Sequence, residues 1–206
     1  SKGKKMNAHD VSNNLWAAAN LREIAPDDVL KLLPVLVSQV PFTVKEMKPQ
    51  ALSNCLWAAA TLRDFAPDVL KIVPVLVAKV PSTVKDMNSQ DLSNSLWAAA
   101  TLREISPVVL KMVPTLVARV PFKIKEMNPQ NTANCLLAAA QFDKLVPDVL
   151  KIVPALLDEA ASNMKEMKGK NLRLAVPTII WACAKLEVRK DDMFAEAFEL
   201  LGSKKT

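Results

Sequence analysis

Few side chains in this 206-residue chain are of the kinds that make or break bonds, and their placement argues against catalysis. There is one histidine, His9, and there are three cysteines, Cys55, Cys135 and Cys183, with no CxxC pair among them. A structural zinc site needs four closely placed nitrogen or sulfur ligands, so no usual metal site can be composed, and the thiols read as small buried hydrophobes. No glycine-rich phosphate loop is present, and one histidine near the N-terminus cannot serve a Ser/His/Asp or Cys/His arrangement. Neither an enzyme nor a cofactor is expected.

What the sequence does supply is charge and amide groups at a fixed step. Arg22, Arg63, Arg103 and Lys144 form one basic row, Lys31, Lys71, Lys111 and Lys151 a second, and Lys45, Lys85, Lys125 and Lys165 a third. Aligned positive charge suits a phosphate backbone. Acidic residues stand beside two of the rows: Glu23, Asp64 and Glu104 follow the arginines, and Glu46, Asp86, Glu126 and Glu166 follow the third set of lysines. Mixed signs of this kind are the ordinary pattern of a solvated helix face, and the formal net charge of +6 is only moderately basic.

Asn13, Asn54, Asn94 and Asn134 recur unchanged although asparagine is a poor helix former, so the amide has a use. A structural ladder between repeats is favoured over base contact, because base-reading positions should vary from repeat to repeat. The positions that do vary are Asn14, Cys55, Ser95 and Cys135, and Asp10, Ala51, Asp91 and Asn131. The candidate RNA contacts are therefore Arg22, Arg63, Arg103, Asn14, Ser95, Asn131, Lys71 and Lys111, with single-stranded RNA as the ligand class.

These rows exist because the chain repeats. Ser12, Ser53, Ser93 and Ala133 each open an eight-residue stretch ending in three alanines, at spacings of 41, 40 and 40 residues. A fixed period of this size is the signature of stacked helical repeats, and rare glycine with no tyrosine removes the turn vocabulary of a β protein. The expected fold is all-α, a right-handed α-solenoid of about five helix-turn-helix repeats. The repeats cover about 6–46, 47–86, 87–126, 127–166 and 167–202, within one domain over 6–202. Residues 1–5 read as a basic tail without the apolar stretch of a secretory signal, and 203–206 as a short C-terminal tail. No run of 18 uncharged apolar residues occurs, so no membrane span is expected.

Each repeat divides into two helices, A and B. Asn7, Asn88 and Asn128 are suited to cap helix A, with Asp10 and Asp91 placed for capping boxes and Pro49 and Pro129 at the first helical position. In the second repeat helix A is expected over about residues 47–64, with Leu52, Leu56, Ala59 and Leu62 on its apolar face. Trp16, Trp57 and Trp97 read as extensions of that face, buried between adjacent repeats. Helix B opens at Pro26, Pro67, Pro107 or Pro147 and keeps helical spacing through Pro34, Pro74, Pro114 and Pro154, which implies a kinked helix. Pro41, Pro81 and Pro121 are expected to end it. The fifth copy departs from the plan, with Gly169 and Pro177 in helix A and Arg189-Lys190-Asp191-Asp192 before the last helix, as terminal caps often do. Val11, Leu15 and Trp16 of the first helix have no preceding repeat to cover them, so an exposed apolar patch is expected there.

Two segments carry a resemblance: Ser89-Gln90-Asp91-Leu92-Ser93-Asn94-Ser95-Leu96-Trp97-Ala98 and Pro129-Gln130-Asn131-Thr132-Ala133-Asn134-Cys135-Leu136-Leu137-Ala138. They resemble the first helix of octotricopeptide repeats, also found in the repeat arrays of RAP-domain proteins. The resemblance covers about residues 6 to 186 and implies an α-solenoid that binds RNA in chloroplasts or mitochondria. It departs from that family where a single proline precedes Asp68-Val69-Leu70, and no RAP-like or nuclease domain is expected after the repeats. The competing expectation is a scaffold subunit of an organellar multiprotein assembly, whose partners are other protein subunits.

Overall fold

The computed structural model describes residues 6–164 and 169–202. The two tails, 1–5 and 203–206, lie outside these residues, as do Lys165, Glu166 and Met167 and the side chains of Leu200 and Leu201. The described residues form an all-helical protein with no strand among them. The A helices are α1 (Ala8–Leu21), α3 (Pro49–Leu62), α5 (Ser89–Leu102), α7 (Pro129–Phe142) and α9 (Gly169–Lys185). The B helices are α2 (Pro26–Thr43), α4 (Val73–Thr83), α6 (Val113–Arg119), α8 (Val153–Met164) and α10 (Asp191–Gly202). No helix is long and apolar enough to cross a membrane among the described residues.

Each A helix packs on the next, α1 on α3, α3 on α5, α5 on α7 and α7 on α9, and each also packs on the B helix that follows it. One buried core runs through the described chain from Ala8 to Ala197. Its A-helix contribution recurs: Leu52, Leu56, Ala59 and Leu62 in α3 have counterparts in Leu92, Leu96, Ala99 and Leu102 of α5, all buried. Each fully buried leucine contributes about 1.5–3 kcal/mol. The triple alanines let this happen on three sides at once: Ala58, Ala59 and Ala60 are all buried, because small side chains allow neighbouring helices to approach from both flanks.

The A-helix starts follow from capping chemistry. Asn7, Asn88 and Asn128 each accept from the backbone N–H three residues on, and Asp10, Asp91 and Asn131 each accept from the cap's own N–H, completing three capping boxes. Lys48, in the equivalent place before α3, makes no such bond. The third-position residue also reaches the preceding repeat. The Ser53 hydroxyl donates to Asp91 Oδ1 at 3.0 Å, and Asn131 Nδ2 donates to Ser93 Oγ at 2.9 Å. Ala51 stands there in the second repeat and can make no counterpart bond to Ser12.

Burial pushes the Asp91 carboxyl above its ordinary value, against the lowering effects of the hydrogen bonds from Asn88 and Ser53. A carboxyl whose folded value is raised stabilises the fold while protonated. That contribution is lost as pH rises from the unfolded value, about 3.9, through the folded one. Asn131 keeps the cap and the bridge in the next repeat without a charge. Asp91→Asn is therefore expected to raise stability at pH 7 by up to about 1 kcal/mol and to flatten its decline above about pH 4. A lower urea midpoint at pH 7 would instead mean that attraction of the charge to the helix N-terminus outweighs its burial.

Helix A ends because a proline is coming. The residues before Pro26, Pro67, Pro107 and Pro147 have φ of −136°, −144°, −142° and −139° with ψ of 62°, 82°, 72° and 78°, outside the α region that a following proline ring disfavours. Helix B then differs from the single kinked helix read from the sequence. In the second to fourth repeats it is a 3-10 segment, Pro67–Ile72, Pro107–Lys111 or Pro147–Ile152, followed by an α-helix. Pro74 and Pro114 thereby sit in the first turn of α4 and α6, where a missing N–H has no intrahelical partner to lose.

In the first repeat one extra residue, Asp28, stands between Pro26 and Leu30, and α2 runs unbroken through Pro34. The two solutions are related by rise. A 3-10 turn climbs about 2.0 Å per residue against about 1.5 Å in an α-helix, so the shorter copies cover a similar height. Pro41 and Pro81 do not end the helix either, since α2 and α4 continue to Thr43 and Thr83. Pro121 lies in a 3-10 turn, Val120–Phe122, just beyond α6. Pro177 is inside α9 as expected.

Candidate nucleic-acid interface

With three sides of α3, α5 and α7 buried, one stripe remains on each. In α3 it holds Gln50, Asn54, Trp57 and Thr61, spaced i, i+4, i+7 and i+11 on a single face. The same stripe in α5 is Gln90, Asn94, Trp97 and Thr101, in α7 Gln130, Asn134, Leu137 and Gln141, and in α1 His9, Asn13, Trp16 and Asn20. Stacking the helices turns these into rows across the layer: carboxamides, then aromatic rings, then hydroxyls and amides.

The burial expected for the tryptophans is corrected here. Trp16 is 48% exposed, and Trp57 and Trp97 are half-buried at the edge of the core. Trp57 is one residue, about 100°, around the helix from the buried Leu56, which is enough to turn it out of the core. The rings meet each other instead: Trp16 and Trp57 centroids are 6.5 Å apart and Trp57 and Trp97 6.3 Å, tilted by 35° and 32°. Tilted pairs at this range add about 0.5–1.5 kcal/mol and leave ring faces and edges accessible.

A groove of about 440 Å³ opens on this layer, lined by Asn20 and Arg22 of α1, Trp57, Thr61 and Arg63 of α3, Trp97 of α5, and Gln130 and Asn134 of α7. Four consecutive repeats contribute, and the lining contains no carboxylate. The amides of Asn54, Asn94 and Asn134 make no hydrogen bond among the described residues, so the inter-repeat ladder favoured for them does not form. Only Asn13 has a partner, the ring of His9 on its own helix. The polar bridge between repeats is made by the capping residues instead.

The arginines occupy the C-terminal caps of their helices. Nη1 of Arg22, Arg63 and Arg103 donates to the carbonyls of Ala19, Ala60 and Ala100 at 2.6, 2.8 and 3.0 Å. Nη2 pairs with Glu23, Asp64 or Glu104 at 2.8, 3.1 and 2.8 Å. The acids are about four-fifths exposed, so these pairs are screened by solvent and weak, and each guanidinium keeps donors to spare. Arg22 and Arg63 line the groove, whereas Arg103 holds the equivalent cap outside its lining. The row is shorter than the sequence suggested: the fourth C-cap is Asp143, and Lys144 stands one residue farther on.

The remaining candidates separate. Ser95 is fully buried and Asn131 is buried in its capping box and its bridge to Ser93, so neither faces the groove. Both positions point toward the preceding repeat, which is also where Cys55 and Cys135 are buried. Asn14 holds the same position in α1 and is exposed because no described helix covers that flank; its amide donates to the Asp10 carbonyl at 2.8 Å. Lys71 and Lys111 stand in the 3-10 segments of the B layer and do not line the groove. Lys71 pairs with Asp68 at 2.8 Å, whereas Lys111 has no acidic partner among the described residues, Val108 replacing the aspartate.

The third lysine row belongs to the connectors and serves the joints between repeats. The backbone carbonyls of Lys45 and Lys85 accept from Lys79 Nζ and Arg119 Nη2, both at 2.9 Å, and the Lys125 ammonium pairs with Glu159 at 2.9 Å.

The uncovered flank of the first repeat carries Leu21, 44% exposed, and Leu32, 40% exposed, whose counterparts Leu62, Leu102, Ile72 and Met112 are buried. Val11 and Leu15, expected in that patch, are themselves buried.

No cluster of three or more His, Cys, Asp or Glu side chains placed to hold a metal occurs among the described residues. Burial pushes the Cys55 and Cys135 thiols up to about 12, far from the thiolate range that supports reactivity. Comparison with protein-family models, with curated proteins and with solved structures found no match to this chain.

Proposed function

We propose that the chain is a right-handed α-solenoid of about five helix pairs that binds single-stranded RNA along its A-helix groove, without catalysis. The observation that carries this reading is the composition of the groove, which joins aromatic rings, carboxamides and arginines across four repeats and holds no carboxylate. Single-stranded nucleic acid is bound by that combination, bases on π-faces and phosphates on cations. Arg22, Arg63 and Arg103 are the phosphate contacts, with the planar fork of arginine suited to phosphate oxygens. The resemblance to octotricopeptide repeats supports the same reading and is the sole support for a chloroplast or mitochondrial setting.

Titrating a labelled single-stranded RNA at several salt concentrations tests it. Arg63→Ala combined with Arg103→Ala is expected to make the log–log salt dependence shallower by about 1.4, two phosphate contacts at about 0.7 each. No binding at low salt, with a protein partner recovered on the same face, would replace this reading by the scaffold one. The exposed Leu21 and Leu32 on the first repeat favour that second reading, a subunit of an organellar assembly, since apolar side chains on an uncovered flank suit a protein neighbour.

A further inference from the structure

The open stripe of the A helices repeats itself. Gln50 and Asn54, Gln90 and Asn94, and Gln130 and Asn134 place the same two carboxamides, one helical turn apart, at three successive steps, the last pair in the groove lining and the first two on the same face outside it. The glutamines are exposed, the asparagines half-buried, and the asparagine amides have no hydrogen-bond partner among the described residues. Of the positions that differ, Cys55, Ser95 and Cys135 are buried in the joints, while on the stripe Leu137 replaces tryptophan and Gln141 replaces threonine in α7 and the carboxamide pair stays unchanged. A strand lying across the carboxamide rows meets the same donors and acceptors at each step.

Resting on the RNA-binding reading above, we infer that this face of the A helices selects a run of one base and that the base is adenine. A carboxamide offers a donor and an acceptor side by side, the match to the adenine N6 amino group and N7, whereas guanine presents two acceptors on that edge and is met by arginine. The row beside the carboxamides is tryptophan, half-buried and accessible, and a purine gives such a ring more surface to stack on than a pyrimidine. The arginines are tied to the helix ends through Ala19, Ala60 and Ala100, away from the carboxamide rows, where they meet phosphate and do not compete for base edges.

The test measures wild-type protein against RNA homopolymers of adenine, uracil, cytosine and guanine, equal in length, together with a mixed sequence, by fluorescence anisotropy at one fixed salt concentration. The adenine oligomer is expected to bind about tenfold more tightly than the others, the scale of one good bidentate contact. Asn54→Leu combined with Asn94→Leu is expected to bring adenine down to the level of the mixed sequence, with circular dichroism reporting an intact fold. Equal affinity for all the oligomers, or tighter binding of another base, would overturn the inference while RNA binding itself stood. Failure of every oligomer to bind would overturn both.

Discussion

Replacing Trp57 and Trp97 together by alanine is expected to weaken binding of single-stranded RNA by about a hundredfold. Each base stacked on an aromatic ring is worth about 1–3 kcal/mol, and about 1.4 kcal/mol is a factor of ten, so two modest contacts suffice. Both rings are half-buried and stand in the groove lining, with Trp57 touching a second ring on either side. The fold should survive, because the buried leucines and alanines beneath are untouched, and circular dichroism would show it. Phenylalanine at both positions keeps a π-face and should recover most of the loss. An affinity changed by less than about threefold in the alanine variant would mean that the strand does not stack on this row.

Ala98→Leu is expected to cost about 3 kcal/mol of stability, while the same change at Ala17 should stay within about 0.5 kcal/mol. The two residues hold one repeat position. Ala98 is fully buried against the preceding helix α3, and Ala17 is partly exposed on the flank of α1 that no described helix covers. A leucine at Ala98 has no room unless the joint opens, whereas at Ala17 it adds a side chain facing outward. Urea unfolding of both variants gives the comparison directly. Equal losses at the two sites would show that helix packing across the joints is not what makes these alanines necessary.

Much of the helical plan is readable from the chain because it is written in local chemistry. Asn7, Asn88 and Asn128 followed three residues later by Asp10, Asp91 and Asn131 specify helix starts, and Pro26, Pro67, Pro107 and Pro147 specify what comes next. The groove is harder to read, because a tryptophan beside Leu56 and Ala58 looks like core. Only the periodic set Gln50, Asn54, Trp57 and Thr61, polar at three of its four members, marks the open stripe. Ser95 and Asn131 vary between copies, as readout positions would, but their burial ties the variation to packing in a joint that tolerates Cys55, Ser95 or Cys135 alike. The 3-10 segments of the B layer escaped notice because side-chain spacing survives them. The one signal was the missing residue that distinguishes Pro67-Asp68-Val69 from Pro26-Asp27-Asp28-Val29.

Lys48 and Ala51 leave the joint between the first and second repeats without the cap and the cross-bond that Ser53–Asp91 and Ser93–Asn131 supply farther along. In a linear stack each unit is held only by its neighbours, so the order in which units come apart follows the strength of the joints. The first helix pair is thus a looser leaf than the second and third: fraying and re-seating there would leave the four pairs behind it shut. Since Asn20 and Arg22 belong to that leaf and line one end of the groove, its fraying would shorten the groove from one side only, giving a strand a way in that needs no threading.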